Sequence, residues 1–325
     1  MKQSIDFNEE LALKKYPEVL DVLLIDRSSR KNIKWCTDNY LKYGIKSNDF
    51  IEKEQLVFRK TSLIKPRVLK SILEQKRRVK DMAEVFTPSY ICNRQNNIID
   101  EQWFGYPNAF NEPYADKWIT TKKVEFKNNK KWKDYIDLER IEITCGEAPY
   151  LTSRYDATTG SYIEPLNRIG ILDRKLRVVT ENAISREEWI QWAKIACQRT
   201  YGYEWQGDNL LIARQNLLMT FEDFYFEKFN EKCSLELLLE IAEIISWNIW
   251  QMDGMKYVVP DSCHEEEAIQ LSLFEDIQIK ADYCKGCRTG DNRLHNGIYC
   301  KIMDWKNKKT LKFIDVISGG LKYAK

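Results

Sequence analysis

The stretch Arg140-Ile141-Glu142-Ile143-Thr144-Cys145-Gly146-Glu147-Ala148-Pro149-Tyr150-Leu151 reads as an apolar strand, a turn of small residues and the start of a helix. Small residues at a strand's carboxyl end let the backbone come close to a ligand, with Gly146 as the pivot, and the open N–H groups of a following helix favour negative charge. Two more units of this kind follow. Thr200-Tyr201-Gly202-Tyr203-Glu204 is a strand ending in an acid, and an apolar-faced helix runs on from Gly207 to Leu218. Trp247 to Met255 reads as a third strand and turn, with Asp253 at its carboxyl end. Short strands alternating with longer helices imply a parallel sheet with crossover helices. The expected architecture is therefore α/β: a mostly helical segment over residues 1–80, then a Rossmann-like domain over 81–325. Gly146, Glu204 and Asp253 would converge on one crevice at the strand ends. The separation of Gly146 from Glu204 is far longer than the roughly 20 residues usual in such units. The turn and charge signals over 156–182 accordingly read as an insertion.

The chain has 325 residues, 43% of them hydrophobic, enough for a sizeable core. Its 51 Lys and Arg nearly balance its 49 Asp and Glu, so any nucleic-acid contact must come from local patches. Nine cysteines without small-scaffold spacing suggest reduced thiols and a cytoplasmic setting. No apolar run approaches the roughly 18 to 20 residues of a membrane span, so no membrane partner is expected.

Two basic stretches stand out. In Lys65 to Lys80 the apolar positions Val68, Leu69, Ile72 and Leu73 recur near helical spacing, implying a helix with a buried stripe and either a solvated or a phosphate-facing side. In Lys122 to Lys133 the lysines are interleaved with Phe126 and Trp132, the composition of a single-strand contact surface or of a surface hairpin.

Glu84-Val85-Phe86-Thr87-Pro88 resembles the Phe-Thr-Pro segment that precedes the cofactor loop in adenine-N6 DNA methyltransferases of bacterial restriction-modification systems. The order of segments along residues 76 to 256 is similar too. The resemblance implies S-adenosylmethionine as cofactor, with Phe86, Thr87 and Pro88 against its methionine end and Thr144, Cys145, Gly146 and Glu147 as the cradle. It places Glu204 on the ribose and Asp253 on the adenine. It also implies DNA as substrate, with a flipped adenine as methyl acceptor, and a restriction or specificity subunit as partner.

That family carries a Pro-Pro-aromatic loop after its fourth strand, and this chain has no Pro-Pro. The nearest counterparts are Asp304-Trp305 and, in a strand-like 313–323 segment, Asp315 and Tyr323. A hairpin joining Ile298–Lys301 to Leu311–Phe313 explains the first pair equally well. A catalytically inactive or partner-dependent subunit of the same fold is the alternative reading.

Cys284, Cys287, His295 and Cys300 form a C-x2-C-x7-H-x4-C array that suits tetrahedral zinc within a loop over 284–300. Cys263-His264 stands apart from it. A third reading, a Mg2+-dependent restriction nuclease, rests on Asp261, Glu275, Asp276 and Lys280, with Gln278 where an acid is usual.

Overall fold

The computed structural model describes residues 5–270 and 278–320. The chain begins with two short helices, α1 (Glu9–Lys15) and α2 (Pro17–Leu24). Asn8 caps α1 by accepting from the Leu11 N–H, and Pro17 opens α2 where a missing N–H costs nothing. A small ladder of β1 (Val57–Phe58) and β2 (Thr61–Ser62) leads to α3 (Ile72–Met82) and α4 (Ser89–Phe104). The hairpin of β3 (Asn111–Tyr114) and β4 (Lys117–Thr120) precedes the single-turn helix α5 (Trp132–Ile136).

The centre is a parallel sheet in the order β5 (Arg140–Glu142), β6 (Thr200–Glu204), β7 (Ile249–Gln251), with Ile141 opposite Tyr201 and Tyr203 opposite Trp250. Each crossover is a pair of helices: α6 (Ile171–Asn182) with α7 (Arg186–Gln198), then α8 (Gly207–Phe229) with α9 (Leu235–Asn248). Flanked on both sides, β6 is buried at every position. β5 is an open edge, with Ile141 45% and Ile143 65% exposed. Beyond the sheet lie the antiparallel pair β8 (Glu266–Gln270) and β9 (Gln278–Asp282), the short helix α10 (Lys285–Thr289), a hairpin of β10 (Lys301–Asp304) and β11 (Lys309–Lys312), and α11 (Phe313–Gly320). The α/β class and the parallel sheet agree with the sequence. Among the described residues, no helix is long and apolar enough to cross a membrane.

Three expectations are corrected. Residues 171–182 do not loop out: α6 buries Leu172, Leu176, Val178 and Val179 and packs on α7 and α8. Its Arg and Lys side chains are internal struts. Arg174 bonds Asp100 and Asn93, Arg177 bonds the carbonyls of Phe110 and Thr121, and Lys175 donates to the carbonyls of Leu138 and Arg199. Second, α3 turns its apolar residues outward, Ile72 71% and Leu73 81% exposed, while Arg78 is fully buried, so an ionic anchor rather than an apolar stripe docks this helix. Third, Phe126 packs on Trp103 and Phe104, and Trp132 on Trp192, so these rings belong to the protein's own packing rather than to a base-stacking surface.

The N-terminal segment shares the core of the sheet domain. Leu20, Leu23 and Leu24 are buried where α2 packs on α9. Lys34 and Trp35 then strap across the sheet: the Gln251 side chain accepts from the Lys34 N–H and donates to the Lys34 carbonyl, each at 2.8 Å. The Gly207 N–H donates to the Trp35 carbonyl at 3.0 Å, and a Cβ on Gly207 would lie 1.9 Å from the Lys34 carbonyl oxygen, so only glycine fits beneath the strap.

Burial, with Arg140 and Arg199 nearby, lowers the Lys175 pKa from an ordinary 10.5 to about 7. The folded state thus prefers the neutral amine, and this group's penalty is relieved as pH rises from about 7 toward the unfolded value. The wild type should gain on the order of 2 kcal/mol more stability between pH 7 and 9 than Lys175→Met, measured by urea unfolding. Equal gains in the two proteins would contradict the shift.

Candidate functional site

The carboxyl ends of β5 and β6 open into a cleft of about 710 Å³. Its floor is the turn after β5, where Thr144 (φ 48°), Gly146 (φ 55°) and Ala148 (φ 64°) all take the left-handed conformation. For a β-branched residue such as Thr144 this is costly, and the surroundings must hold it. They do so through the Cys145 N–H, which donates to the Tyr203 carbonyl (2.8 Å), and the Gly146 N–H, which donates to Glu204 Oε2 (2.8 Å).

Glu204 therefore ties the two strand ends together. Its Oε1 accepts from the N–H groups of Trp205 (2.9 Å) and Gln206 (3.1 Å), while Oε2 takes only Gly146, leaving one acceptor position. Burial raises its pKa, and the three backbone donors pull against that rise. Beside it, Glu142 accepts from the N–H groups of Tyr150 (3.4 Å) and Leu151 (3.2 Å). Burial holds the Glu142 carboxyl well above the usual range, and Glu204 adds to the shift.

The facing wall is Ala83 to Thr87. A Cβ on Gly146 would come within 3.4 Å of the Phe86 ring, so the turn packs closely against the ring at this end of the cleft. The Arg67 guanidinium lies 5.5 Å from the centre of that ring. Three glutamates, Glu84, Glu142 and Glu204, line the cleft, with no Lys, Arg or His among the described lining residues. Arg78 neutralises Glu84 at 2.5 Å.

Of the residues expected to hold a cofactor, Phe86, Thr87, Thr144, Cys145, Gly146 and Glu204 line this cleft. Pro88 stands behind it as the N-terminal flank of α4. Glu147 turns away into the protein, accepting from the Arg67 N–H (2.6 Å) and the Tyr155 hydroxyl (2.7 Å), so it puts no free charge in the cleft. Asp253 lines a separate hollow of about 250 Å³. There its Oδ1 accepts from the N–H groups of Met255 (2.9 Å) and Lys256 (3.1 Å), as a turn-forming aspartate does. The ends of β5 and β6 converge; that of β7 does not join them. The sequence reading missed Glu142, Asn96, Tyr150, Gln206 and Asn209. For Glu142 the signal was present: an acid flanked by isoleucines in a strand faces away from both.

The acceptor-loop candidates lie elsewhere. Asp304 accepts from the backbone N–H (3.1 Å) and side-chain amide (2.8 Å) of Asn307 in the β10–β11 turn, and Trp305 Nε1 donates to Asn248 Oδ1 (2.8 Å). The hairpin reading of this region is the one observed. Asp315 sits in the first turn of helix α11, not on a strand: the adjacent Phe313 and Ile314 are both buried, which the two-residue alternation of a half-exposed strand does not give. Tyr323 lies outside the described residues, as do Glu275 and Asp276 of the nuclease reading. Asp261 occupies a turn with φ 51° at the smaller hollow, and Lys280 and Gln278 lie on β9.

The thiol cluster forms with one member exchanged. Ligand atoms of Cys263, Cys284, Cys287 and His295 all lie within 4.8 Å of one another. Cys300 is excluded: it is fully buried, and its Sγ donates to the Gln251 carbonyl at 3.3 Å. Pairing of Val258 with Tyr299 and of Val259 with Ile298 runs the segment after β7 antiparallel to 296–300, which brings Cys263 to the α10 turn and faces Cys300 inward. No family model, curated protein or solved structure matches this chain.

Proposed function

We propose that the cleft at the ends of β5 and β6 binds S-adenosylmethionine in a Rossmann-like frame, and that the chain serves DNA adenine-N6 methylation in a restriction-modification or phage-defence setting. One observation carries the cofactor reading: a carboxyl-lined cleft walled by Phe86, with no basic side chain among its described lining residues. Such a lining offers no cation to the phosphates of a nucleotide or dinucleotide and, on ionising, suits an adenosyl ligand bearing positive charge. The size is that of a small-molecule pocket. Glu204 has one acceptor position for a ribose hydroxyl. S-adenosylmethionine supplies an activated methyl group on a sulfonium. Glu142 and Glu204 place negative potential near that cation, and Phe86 offers a ring face to it. The DNA target rests on the resemblance carried by Phe86-Thr87-Pro88.

The open edge of β5 favours a partner-dependent form of this reading. The described residues put no acceptor loop at the cleft, and a partner strand added along Ile141–Ile143 would deliver one beside it.

Calorimetric titration with S-adenosylmethionine and with its neutral demethylated product, at about pH 6 and pH 8, tests the cofactor. A cationic ligand favours ionised Glu142 and Glu204, whose raised pKa values mean that binding releases protons. Affinity for the sulfonium should therefore rise with pH, and more than affinity for the product. No binding at either pH defeats the proposal. Binding together with methyl incorporation into unmodified DNA would show a complete enzyme; binding without incorporation would favour the partner-dependent form.

A further inference from the structure

We propose that Cys263, Cys284, Cys287 and His295 bind one structural zinc ion through three thiolates and His295 Nδ1, fastening the segment after β7 to α10. Nδ1 lies 3.6 Å from Cys263 Sγ, 3.6 Å from Cys284 Sγ and 3.7 Å from Cys287 Sγ. A tetrahedral ion with Zn–S of about 2.3 Å and Zn–N of about 2.05 Å sets nitrogen and sulfur roughly 3.6 Å apart, which these distances match. An ordinary hydrogen-bonded histidine has no reason to be equidistant from three sulfurs.

The surroundings are those of a built site. His295 Nε2 faces Asn292 Oδ1 at 3.4 Å, the outer contact that fixes a ligating ring with Nδ1 toward the metal. The Asn296 N–H donates to Cys284 Sγ at 3.3 Å, stabilising a thiolate. Gly286 lies between the paired cysteines, and a Cβ there would come within 2.6 Å of both the backbone nitrogen and Nδ1 of His295. Four protein ligands leave no open position, so the role is structural. On binding, each coordinating thiol gives its proton to solvent. The ion would join residues 263 and 284, which are distant along the chain, and so hold the hollow that contains Asp253.

The test is elemental analysis of the full-length chain purified without chelators, followed by cobalt substitution. We expect one zinc per chain and, with Co2+, the intense visible bands of a tetrahedral thiolate site. Cys263→Ser should lose stoichiometric metal and Cys300→Ser should keep it. Asn292→Ala, which spares every ligand, should lower zinc affinity about 10- to 100-fold. Because a cysteine variant can fail to fold, chelation of the wild type is the companion measurement: it should expose residues 263–300 to protease while the far-ultraviolet circular dichroism of the helices persists. Absence of zinc and of cobalt bands from the folded wild type overturns the proposal. Metal loss in Cys300→Ser with retention in Cys263→Ser overturns the ligand assignment.

Discussion

Replacing Arg78 with methionine should destabilise the protein by about 3 to 5 kcal/mol, because it strips the counter-charge from a buried carboxylate. Arg78 is fully buried. Its Nη1 bonds Asp208 Oδ2 at 2.7 Å, its Nε bonds Glu84 Oε2 at 2.6 Å, and its Nη2 reaches Gln206, Asp208 and Asn209 at 3.1 to 3.2 Å. Burial by itself would raise the Asp208 carboxyl, but Arg78 and Lys70 outweigh it and hold the pKa below the ordinary carboxylate range. Without Arg78, Asp208 keeps the Asn209 N–H and the Tyr40 hydroxyl, each at 2.9 Å, and Lys70 at 4.0 Å, but no close counter-charge for a group with no exposure. Urea unfolding of Arg78→Met measures the cost, and the triple variant with Glu84→Gln and Asp208→Asn should recover part of it by removing the stranded charges. A loss below about 1 kcal/mol would mean that water reaches the network. The effect extends to the cleft, since Arg78 fixes Glu84 at the head of the Phe86 wall.

Glu204→Gln should weaken S-adenosylmethionine binding about 10- to 100-fold, the value of one hydrogen bond to a charged acceptor. The replacement is isosteric, but an amide nitrogen must then face either Gly146 N–H or the pair from Trp205 and Gln206, setting donor against donor. With the nitrogen toward Gly146, the turn at Thr144 to Ala148 keeps only its Cys145 bond to the Tyr203 carbonyl. Calorimetric affinity, read beside the thermal midpoint, separates lost binding from lost folding. An affinity within about twofold of wild type in a folded variant would remove Glu204 from the site.

The sequence carried the sheet well where the signal was local. Thr200 to Glu204 is bounded by a helix end and a helix start, and its terminal acid lies at the cleft. It misled where charge was taken for exposure: Arg174, Lys175, Arg177 and Arg78 read as surface residues, yet each finds buried acceptors supplied from distant segments. No local pattern encodes such acceptors. Cys263 was missed for the same reason, since its place beside Cys284 depends on strand pairing across some forty residues. Asp253 shows the converse: an acid after a strand is a turn former as readily as a ligand contact.

The strap at Lys34 and Trp35 has a consequence for how the chain is made. Its partner Gln251 lies 217 positions later. At a synthesis rate of about 5 to 20 residues per second, the N-terminal segment waits roughly 10 to 40 seconds on the ribosome before the residue that secures it exists. During that interval Leu20, Leu23 and Leu24 have no α9 to cover them. The strap at Lys34 and Trp35 is therefore among the last parts of this sheet region to be fastened, although it is made long before β7.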